Sequence, residues 1–477
     1  MGLLTPVELV EVSELGPVHF IAIGGSGMNG VASALLQLGV PVSGSDRQES
    51  KYLRALEAQG ARVFVGHDAA QLAPDVGTVV ASSAIREDNP ELAEARRRGL
   101  RVLHRSAALG SIMLGRRGVA VAGTHGKTTT TAMISHILSG VGADPSYVIG
   151  GALTGASTGG HIGGGDALVV EADESDGSFL QYPAEIAVVT NVDPDHLSNW
   201  GTAANYADGF GRFATGSSVR VLVISADDPG AVALTSRVRA LGGEPRIVTF
   251  GESETADIRI TEASFAGTAS TFKLAGEPVR LNVPGHYNVL NAAAAYAVAT
   301  GLGADPAATR TELETYGGTY RRFQLIGAVD DIRVYDDYAH HPTEVANTLR
   351  AARTGVGEHG RVVVCFQPHL YTRTRDFWRE LAGALELADQ AIVMDVCGDR
   401  EDPIPGIDGR MVADAVSPGT AEVTYEPDWD SAAPVVARIA RPGDLVITVG
   451  CGDVTKVAPL IVDALREADR GPGEQGV

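Results

Sequence analysis

Cysteine is scarce in this sequence, and its positions argue against several kinds of site. Cys365, Cys397 and Cys451 are widely separated and do not have the spacing of metal ligands. An odd, sparse set of this kind disfavours a disulfide framework and is typical of reduced thiols in a cytosolic enzyme. We expect these thiols to fill the core or the loops.

Long apolar runs and a basic leader are also missing. No apolar stretch approaches the roughly 20 residues needed to cross a bilayer. The N-terminal segment carries Glu8, Glu11 and Glu14 and lacks the basic start of a signal peptide. The sequence therefore predicts a soluble, cytoplasmic protein without membrane insertion.

Positive charge is in short supply. The 477 residues include 38 basic and 59 acidic side chains, which gives a formal charge of −21. This balance disfavours a nucleic-acid-binding surface, so anionic substrates must be held by local lysines, arginines, helix ends and metal. With 44% hydrophobic residues the chain can form packed cores, and its length favours about three domains.

The most informative motif runs from Val119 to Thr131. A short strand breaks at Gly123, and Lys127 leads into a helix. Loop N–H groups and a helix start bind phosphate, the lysine adds positive charge, and Thr128 can hold Mg²⁺. The spacing G-T-x-G-K-T is shorter than that of the general P-loop, and the alternative is a strand–helix turn that binds nothing. We predict a nucleotide-phosphate loop formed by Gly123, Thr124, His125, Gly126, Lys127, Thr128 and Thr129.

A second glycine-rich turn follows a strand predicted at 18–23. Gly25, Gly27 and Gly30 match G-x-G-x-x-G, and Asp46 ends the next strand. The motif specifies only a diphosphate at a helix N-terminus. It therefore fits a nicotinamide dehydrogenase, a UDP-sugar site or a turn without ligand.

Two further segments of the first 112 residues contain candidate ligand-binding residues. Ser82 lies in a small polar loop after a predicted strand. His104 and Arg105 end the last strand of this segment, where they either meet a phosphate or lie at the surface.

Carboxylates follow two strands of the middle segment. One apolar strand ends in Glu171, and another leads into Asp195 and His196. The carboxyl end of a central parallel strand is where nucleotide enzymes place a metal ligand, so Glu171 is our first choice. His196 would lie beside the metal and the transferred phosphate. A solvated acidic loop and a structural histidine are the alternatives.

Two asparagines lie near the start of a predicted alanine-rich helix. Asn288 and Asn291 are three residues apart and share one face of its first turn, which suits adenine or ribose recognition. The competing interpretation is that Asn288 caps the helix.

The segment after residue 321 repeats the alternation of strands and helices, which predicts a third α/β unit. Basic and aromatic side chains at its strand ends suggest a small anionic substrate that is gripped when this domain closes. Arg373 is suited to bind a carboxylate in two-pronged fashion, and a surface salt bridge is the alternative.

Taken in order, these segments resemble the Mur ligase family. The motifs are AIGGSGM, GTHGKTTTT, EADESD, NVDPDHL, GHYNVLN, YRRFQ, DDYAHHPTEV and FQPHLYTRT, and they run from residue 20 to about 453. The resemblance implies an α/β protein of three domains. These are a Rossmann-like UDP-substrate domain at 1–112, a central ATPase domain of P-loop type with a mostly parallel sheet at 113–320, and a Rossmann-like amino-acid-binding domain at 321–477. A tail from about residue 469 is expected to be disordered.

The resemblance also implies an activity. A Mur ligase of this kind uses ATP and Mg²⁺ to join L-alanine to the carboxylate of UDP-N-acetylmuramate through an acyl phosphate, giving ADP and phosphate in cytoplasmic peptidoglycan synthesis. Its expected partners are these small molecules, with no nucleic acid, and its expected state is a monomer or weak homodimer.

Site residues follow from the resemblance position by position. Catalytic roles fall to Lys127, Glu171, His196 and Arg373, and metal binding to Thr128, Glu171 and His196. ATP contacts extend from the phosphate loop to Asn288, Asn291 and Arg322. UDP-substrate contacts are Gly25, Ser26, Gly27, Met28, Asp46, Ser82, His104 and Arg105. Amino-acid contacts are Tyr338, His340, His369 and Arg373.

The chain departs from the family at a few positions. Leu370 stands where many relatives have arginine, and Ser198 where many have aspartate. Several sister ligases use a carbamoylated lysine near a second metal. No lysine lies between Lys127 and Lys273, so we predict that this device is absent.

Three other functions compete with this interpretation. A ligase that adds a preformed peptide to the same UDP-sugar would share the motifs. A nicotinamide oxidoreductase built on Gly25, Gly27 and Gly30 would leave Lys127 and Glu171 without a task. A non-catalytic nucleotide-binding regulator is the third. The sequence does not separate L-alanine from glycine or serine, because one methyl group in a pocket is worth only about 1–3 kcal/mol.

Overall fold

The structure is a computed structural model that describes residues 3–151, 156–242, 245–357, 359–399 and 401–469. Part of the glycine-rich stretch at 150–155 and the tail predicted to be disordered lie outside these residues. The chain divides into two compact units. The first comprises Met1–Glu262, Phe272–Val279 and Leu290–Tyr316, and the second Ala263–Thr271, Arg280–Val289 and Gly317–Val477.

The first sheet has five parallel strands in the order β3-β2-β1-β4-β5. The strands are β1 (Val18–Ile21), β2 (Val42–Asp46), β3 (Arg62–Val65), β4 (Thr78–Ala81) and β5 (Arg101–His104), and the helices are α1 (Ser26–Gln37), α2 (Lys51–Ala58), α3 (Pro90–Arg97) and α4 (Arg105–Met113). The strand order reverses beside β1. Ligands of open α/β sheets bind at such a reversal, and the glycine-rich turn follows β1 there.

A buried carboxylate joins α3 to this sheet. Glu91 is fully buried, and its oxygens lie 3.0 Å from His19 Nε2, 2.8 Å from His67 Nδ1 and 2.5 Å from Ser45 Oγ. Burial opposes the charge on Glu91, but these hydrogen bonds outweigh it and lower the pKa of the carboxyl. We call His19, Ser45, His67 and Glu91 the Glu91 network.

The second sheet has ten strands in the order β15-β14-β13-β12-β11-β10-β6-β9-β7-β8. Its strands are β6 (Arg117–Ala122), β7 (Ser146–Val148), β8 (Gly160–His161), β9 (Ala167–Glu171), β10 (Ile186–Val189), β11 (Val221–Ser225), β12 (Arg246–Gly251), β13 (Ile258–Ala266), β14 (Ala269–Leu274) and β15 (Glu277–Leu281). Its helices are α5 (Lys127–Gly140), α6 (Leu197–Trp200), α7 (Ala203–Ala214), α8 (Pro229–Leu241), α9 (His286–Gly301) and α10 (Pro306–Thr315). Strand β6 pairs in parallel with β9 and β10, so the segments that follow these three strands gather at one edge of the sheet.

Aromatic side chains pack below that edge. They are Phe179, Trp200, Tyr206, Phe210 and Phe213, with ring centroids of neighbouring pairs 5.0–6.2 Å apart, and we call them the aromatic cluster. All five are buried. Stacked and edge-to-face rings of this kind hold the short helix α6 and the helix α7 to the sheet.

The third sheet has six strands in the order β16-β17-β21-β18-β19-β20, and only β16 is antiparallel. The strands are β16 (Gln324–Val329), β17 (Ile332–Asp337), β18 (Val362–Phe366), β19 (Gln390–Val393), β20 (Glu422–Tyr425) and β21 (Leu445–Val449), and the helices are α11 (Pro342–Gly355), α12 (Tyr371–Leu385), α13 (Arg410–Ala413), α14 (Trp429–Ile439) and α15 (Val454–Asp469). The predicted α/β class with mostly parallel sheets is confirmed. Within the described ranges, none of the helices is long and apolar enough to cross a membrane.

Candidate active site

The predicted ATP-phosphate loop lies between β6 and α5. Gly123 and Gly126 have φ angles of +138° and +85°. A Cβ atom on Gly126 would come 2.5 Å from Asn291 Oδ1, and one on Gly123 would overlap the Thr190 hydroxyl. Thr190 and Asn191 also hold the carbonyl oxygen of His125 by hydrogen bonds of 2.6 and 2.9 Å. The loop is therefore tight, and glycine is required at both bends.

Lys127 lies at the start of α5 and turns back toward the loop. Its ammonium donates to the carbonyl oxygens of Gly123 at 2.6 Å and Thr124 at 3.1 Å, and Glu174 Oε2 is 2.9 Å away. Burial opposes the charge, but the carboxylates Glu174 and Asp173 outweigh it and raise the pKa of Lys127. The lysine is thus a charged group in the loop at neutral pH.

Thr128 and Glu171 are in direct contact. The Thr128 hydroxyl donates to Glu171 Oε1 at 2.9 Å, and the N–H of Gly150 donates to Oε2 at 2.8 Å. These two oxygen ligands meet beside the phosphate loop, at the carboxyl end of β9. Hydroxyl and carboxylate oxygens are the donors that Mg²⁺ prefers, so this pair fits the predicted metal.

His196 lies at the N-terminus of α6 and is also near the lysine. Its Nε2 atom is 3.8 Å from Glu174 Oε1 and 3.4 Å from Asp195 Oδ2. Burial raises the pKa of Glu174, and its ion pair with Lys127 opposes that shift. Glu174 therefore connects two of the predicted catalytic residues, His196 and Lys127.

The glycine-rich turn of the first segment opens α1, whose N-cap is Gly25. Asp46 accepts a hydrogen bond of 2.9 Å from the N–H of Gly24, so it shapes this turn. A Cβ on Gly30 would be 3.1 Å from the backbone of Gly159, which shows that this glycine lets α1 approach β8. Ser26, Gly27 and Met28 form the first turn of α1.

His104 and Arg105 are largely covered side chains with carboxylate neighbours, and they do not lie on open surface. Arg105 Nη2 is 2.6 Å from Asp173 Oδ2, and a Cβ on Gly27 would be 3.2 Å from this guanidinium. His104 Nε2 is 3.7 Å from Asp176. Burial, with a smaller effect of Arg105, lowers the pKa of His104 to about 4, so its ring is neutral at pH 7. Ser82 follows β4 and its neighbour Ser83 donates to Asp176 at 2.8 Å.

The two asparagines of α9 have separate partners. Asn291 Oδ1 accepts from the Thr130 hydroxyl at 3.2 Å, which joins α9 to α5 next to the phosphate loop. The Asn288 amide donates to the carbonyl oxygen of Pro284 at 2.7 Å. That bond fixes the start of α9, a local role close to the capping alternative.

In the second unit, the predicted amino-acid residues follow the carboxyl ends of β17 and β18. Arg322 lies 4.9 Å from the Tyr338 ring centroid, and the His340 ring is 5.6 Å from Tyr338 and 6.2 Å from His369. Arg373 is buried in the first turn of α12. Arg322, Tyr338, His340, His369 and Arg373 therefore share one edge of the third sheet, and a surface position for Arg373 is excluded.

Leu370 is the N-cap of α12. It has a φ of +69° and its side chain is buried, so it closes the turn between β18 and α12.

Ser198 lies within α6. No structural consequence of a serine at that position is evident.

Sequence reasoning missed three contributors to this region. Glu174 lies in the acidic motif EADESD, but only its burial beside Lys127 distinguishes it from the other acidic residues there. Asp173 is the partner of Arg105, a pairing across 68 residues that no local pattern indicates. Tyr206 reaches the loop from α7, and nothing in its sequence context signals this.

Similarity to characterised proteins extends over the whole fold. The sequence profiles "Mur ligase family, catalytic domain", "Mur ligase middle domain" and "Mur ligase, glutamate ligase domain" match residues 17–117, 121–299 and 321–452. A UDP-N-acetylmuramate–L-alanine ligase of Cutibacterium acnes is 54% identical over 98% of this chain and 99% of its own length. One of Thermobifida fusca is 50% identical over 98% of this chain and 100% of its own.

Solved structures of Mur ligases and related peptide ligases have the same fold as this chain. The crystal structure of the UDP-N-acetylmuramate-alanine ligase MurC from Thermotoga maritima superimposes with a TM-score of 0.79 at 29% identity, covering 95% of this chain and 99% of that one. A murein peptide ligase from Psychrobacter arcticus has the same fold, with a TM-score of 0.69 at 24% identity over 94% and 98% of the two chains. The resemblance read from the sequence motifs is thereby confirmed, and this chain belongs to the Mur ligase family.

Proposed function

We propose that this protein uses ATP to join L-alanine to the carboxylate of UDP-N-acetylmuramate, releasing ADP and phosphate. The observation that carries the proposal is the 54% identity, over nearly all of both chains, to a relative named for that reaction. The phosphate loop with its largely covered Lys127 supports the ATP-dependent half. The reaction belongs to peptidoglycan precursor synthesis, and we infer a cytoplasmic location.

The first half of the reaction converts a poor acyl donor into a reactive one. A carboxylate oxygen of the muramoyl group attacks the γ-phosphorus of ATP, the bond to the ADP oxygen breaks, and an acyl phosphate forms. With ATP bound, Lys127 and N–H groups of the loop and of the start of α5 would offset the charge that moves onto ADP. Glu174 must then exchange its contact with Lys127 for another partner or a proton.

The second half forms the amide. The neutral amine of L-alanine attacks the acyl carbonyl, a tetrahedral intermediate forms, and phosphate leaves while the nitrogen loses a proton. Arg373 with Tyr338, His340 and His369 would hold the amino acid, the guanidinium pairing with its carboxylate. Holding the three substrates in register is a large part of the catalysis.

Mg²⁺ fits the paired oxygens of Thr128 and Glu171, and we assign these two residues and His196 to metal binding. The ion would neutralise phosphate charge.

The remaining ATP contacts are assigned to the 123–129 loop with Asn288, Asn291 and Arg322. UDP-substrate contacts are assigned to the Gly25–Met28 turn, Asp46, Ser82, His104 and Arg105. The proposed domain boundaries lie at 112/113 and 320/321, and the expected oligomeric state is a monomer or weak homodimer.

Phosphate release tests the reaction directly. The purified protein is given ATP and Mg²⁺, with or without UDP-N-acetylmuramate. Each mixture is tested alone and with L-alanine, glycine, L-serine or an alanine-containing tripeptide. We expect release to require both the UDP-sugar and L-alanine, with formation of the amide product seen by mass spectrometry. Release with the tripeptide but not with alanine would move the assignment to a peptide-adding ligase. No release under any combination would refute the proposal.

A further inference from the structure

A tyrosine distant in sequence touches the phosphate loop. Tyr206 lies on α7, 82 residues after Thr124, and its side chain is fully buried. Its phenol oxygen is 2.8 Å from Thr124 Oγ1. An unpaired hydroxyl in the interior of a protein is unfavourable, so this hydrogen bond satisfies both buried hydroxyl groups.

The hydrogen-bonding capacity of Thr124 identifies the donor. A threonine hydroxyl has one proton to donate and two lone pairs to accept. The Thr124 hydroxyl donates to the carbonyl oxygen of Asp193 at 2.8 Å and accepts from the N–H of Asp193 at 3.0 Å. Only one lone pair is left, so Tyr206 must be the donor. Burial, the largest influence, raises the pKa of Tyr206 and keeps the phenol protonated.

Thr124 in turn fixes the catalytic lysine. Its carbonyl oxygen accepts from Lys127 Nζ at 3.1 Å, and its N–H donates to the carbonyl oxygen of Asn191 at 3.3 Å. The orientation of this one residue therefore sets both the loop backbone and the place from which Lys127 reaches a phosphate.

Tyr206 is itself held rigidly. Its ring lies 5.9 Å from that of Trp200 and 5.2 Å from that of Phe210 within the aromatic cluster. Trp200 also donates its indole N–H to the carbonyl oxygen of Glu174 at 2.9 Å. The cluster thus touches both the loop and the acidic segment that pairs with Lys127.

We propose that Tyr206 is a positioning residue of the ATP-dependent step, acting through Thr124 to hold the phosphate loop and Lys127 in place. This rests on the proposed ATP-dependent function. Tyr206 is fully buried and meets the loop at Thr124, so its removal should alter the handling of ATP and leave recognition of the UDP-sugar intact.

The test compares Tyr206→Phe with Tyr296→Phe. Tyr296 is also a buried tyrosine of the same unit, but its hydroxyl bonds Arg310 at 3.2 Å and not the loop. We expect Tyr206→Phe to lower kcat/KM for ATP about 5- to 20-fold, as the loss of one buried hydrogen bond predicts. The KM for UDP-N-acetylmuramate should stay within about twofold. Tyr296→Phe should leave both constants unchanged even if the two variants lose similar thermal stability.

A double-mutant cycle with Thr124→Val shows whether the effect passes through Thr124. Adding Tyr206→Phe to Thr124→Val should cause little further loss, because the acceptor is already gone. Any of three results would overturn the proposal. The fold-losses of the two single variants could multiply in the double variant, kcat/KM for ATP could be unchanged in Tyr206→Phe, or Tyr206→Phe and Tyr296→Phe could change it equally.

Calorimetric ATP binding without the other substrates separates this inference from the proposed function. If the wild-type protein binds ATP but forms no amide product, the ligase assignment fails, and the Tyr206 contribution is still measured as weaker ATP binding. If both proteins bind ATP equally and turn it over equally, only the positioning role fails.

Discussion

Gly126 shows how closely single residues are constrained in the phosphate loop. Its φ of +85° is unfavourable for a side chain, and a Cβ there would press on Asn291. We expect Gly126→Ala to lower ATP affinity at least tenfold, measured by calorimetry. Gly142 is the matched control, since it has a φ of +79° in open space just beyond α5. Gly142→Ala should cost about 1–2 kcal/mol of stability and leave ATP binding unchanged. Equal ATP affinities in the two variants would contradict this role of Gly126.

Glu171 permits a test of the metal assignment. Glu171→Gln keeps the shape of the side chain and an oxygen for Gly150 but removes the negative charge beside Thr128. We expect the Mg²⁺ concentration for half-maximal activity to rise at least tenfold, because a neutral amide is a weaker ligand than a carboxylate. Glu185→Gln, which alters an ion pair with Arg117 at the other end of β6, is the control. An unchanged Mg²⁺ requirement in Glu171→Gln would remove this residue from the metal site.

Sequence motifs can indicate site residues whose chemistry is local. The order glycine, lysine, threonine at a strand–helix turn involves only neighbours in the chain, so Lys127 and Thr128 can be predicted as phosphate-loop residues from the motif alone. Glu174 and Tyr206 reach the same site from other strands and helices. Their contribution depends on distances and burial that three-dimensional packing alone determines, and one sequence carries no record of those.

Among single elements, α3 depends on a polar contact at the face of the first sheet. The pKa of Glu91 is lowered because the hydrogen bonds of the Glu91 network outweigh the effect of its burial. Its stabilising contribution is therefore present above the unfolded-state pKa of about 4.5 and is lost as pH falls through the lower folded-state pKa. We expect Glu91→Gln to lower the free energy of unfolding at pH 7 by about 1–3 kcal/mol.

The pH dependence gives this prediction its control. The difference between Glu91→Gln and the wild type should shrink as the pH falls below about 4.5, measured by urea unfolding with a probe in the first segment. Glu94, on the same helix, forms only a surface ion pair with Arg97. Glu94→Gln should show no resolvable change. A constant difference at every pH would mean that shape, and not charge, accounts for the role of Glu91.

Strands that are buried on both faces were easier to predict than β13, β14 and β15. Apolar runs such as 119–122, 186–189 and 362–366 are buried on both faces, which is the mark of parallel strands covered by helices. Strand β13 mostly alternates partly buried and exposed residues, so it lacks such a run, and the sequence motifs predict neither this strand nor β14 and β15. Their place in the second sheet depends on pairing with β12.

At the scale of the whole molecule, the second compact unit is not one continuous piece of chain. It takes in Ala263–Thr271 and Arg280–Val289 as well as everything after residue 317. Tyr287, from one of these segments, packs against its core and is hydrogen-bonded to Thr348. We expect a fragment of residues 317–477 to melt without a cooperative transition in circular dichroism, because that core is left incomplete.

Tyr287→Ala in the full chain is the companion experiment. It should weaken the same unit by about 1–3 kcal/mol while leaving the rest of the chain folded. Cooperative melting of the fragment at the temperature of the intact unit would show that the two inserted segments are dispensable. Motif spacing alone does not reveal this interleaving, since family motifs mark sites and not the boundaries of packed cores.

The burial of Lys127 has a practical consequence for chemical labelling. The other lysines are Lys51, Lys273 and Lys456; Lys51 and Lys456 are exposed, and Lys273 is partly exposed. Lys127 is largely covered, and its ammonium is paired with Glu174 and held charged. Amine-reactive acylation needs a neutral and accessible amine, so in the intact protein it should mark the three outer lysines and spare Lys127. The ratio of acylation at Lys127 to that at Lys273, read by mass spectrometry, should therefore report opening of the phosphate loop.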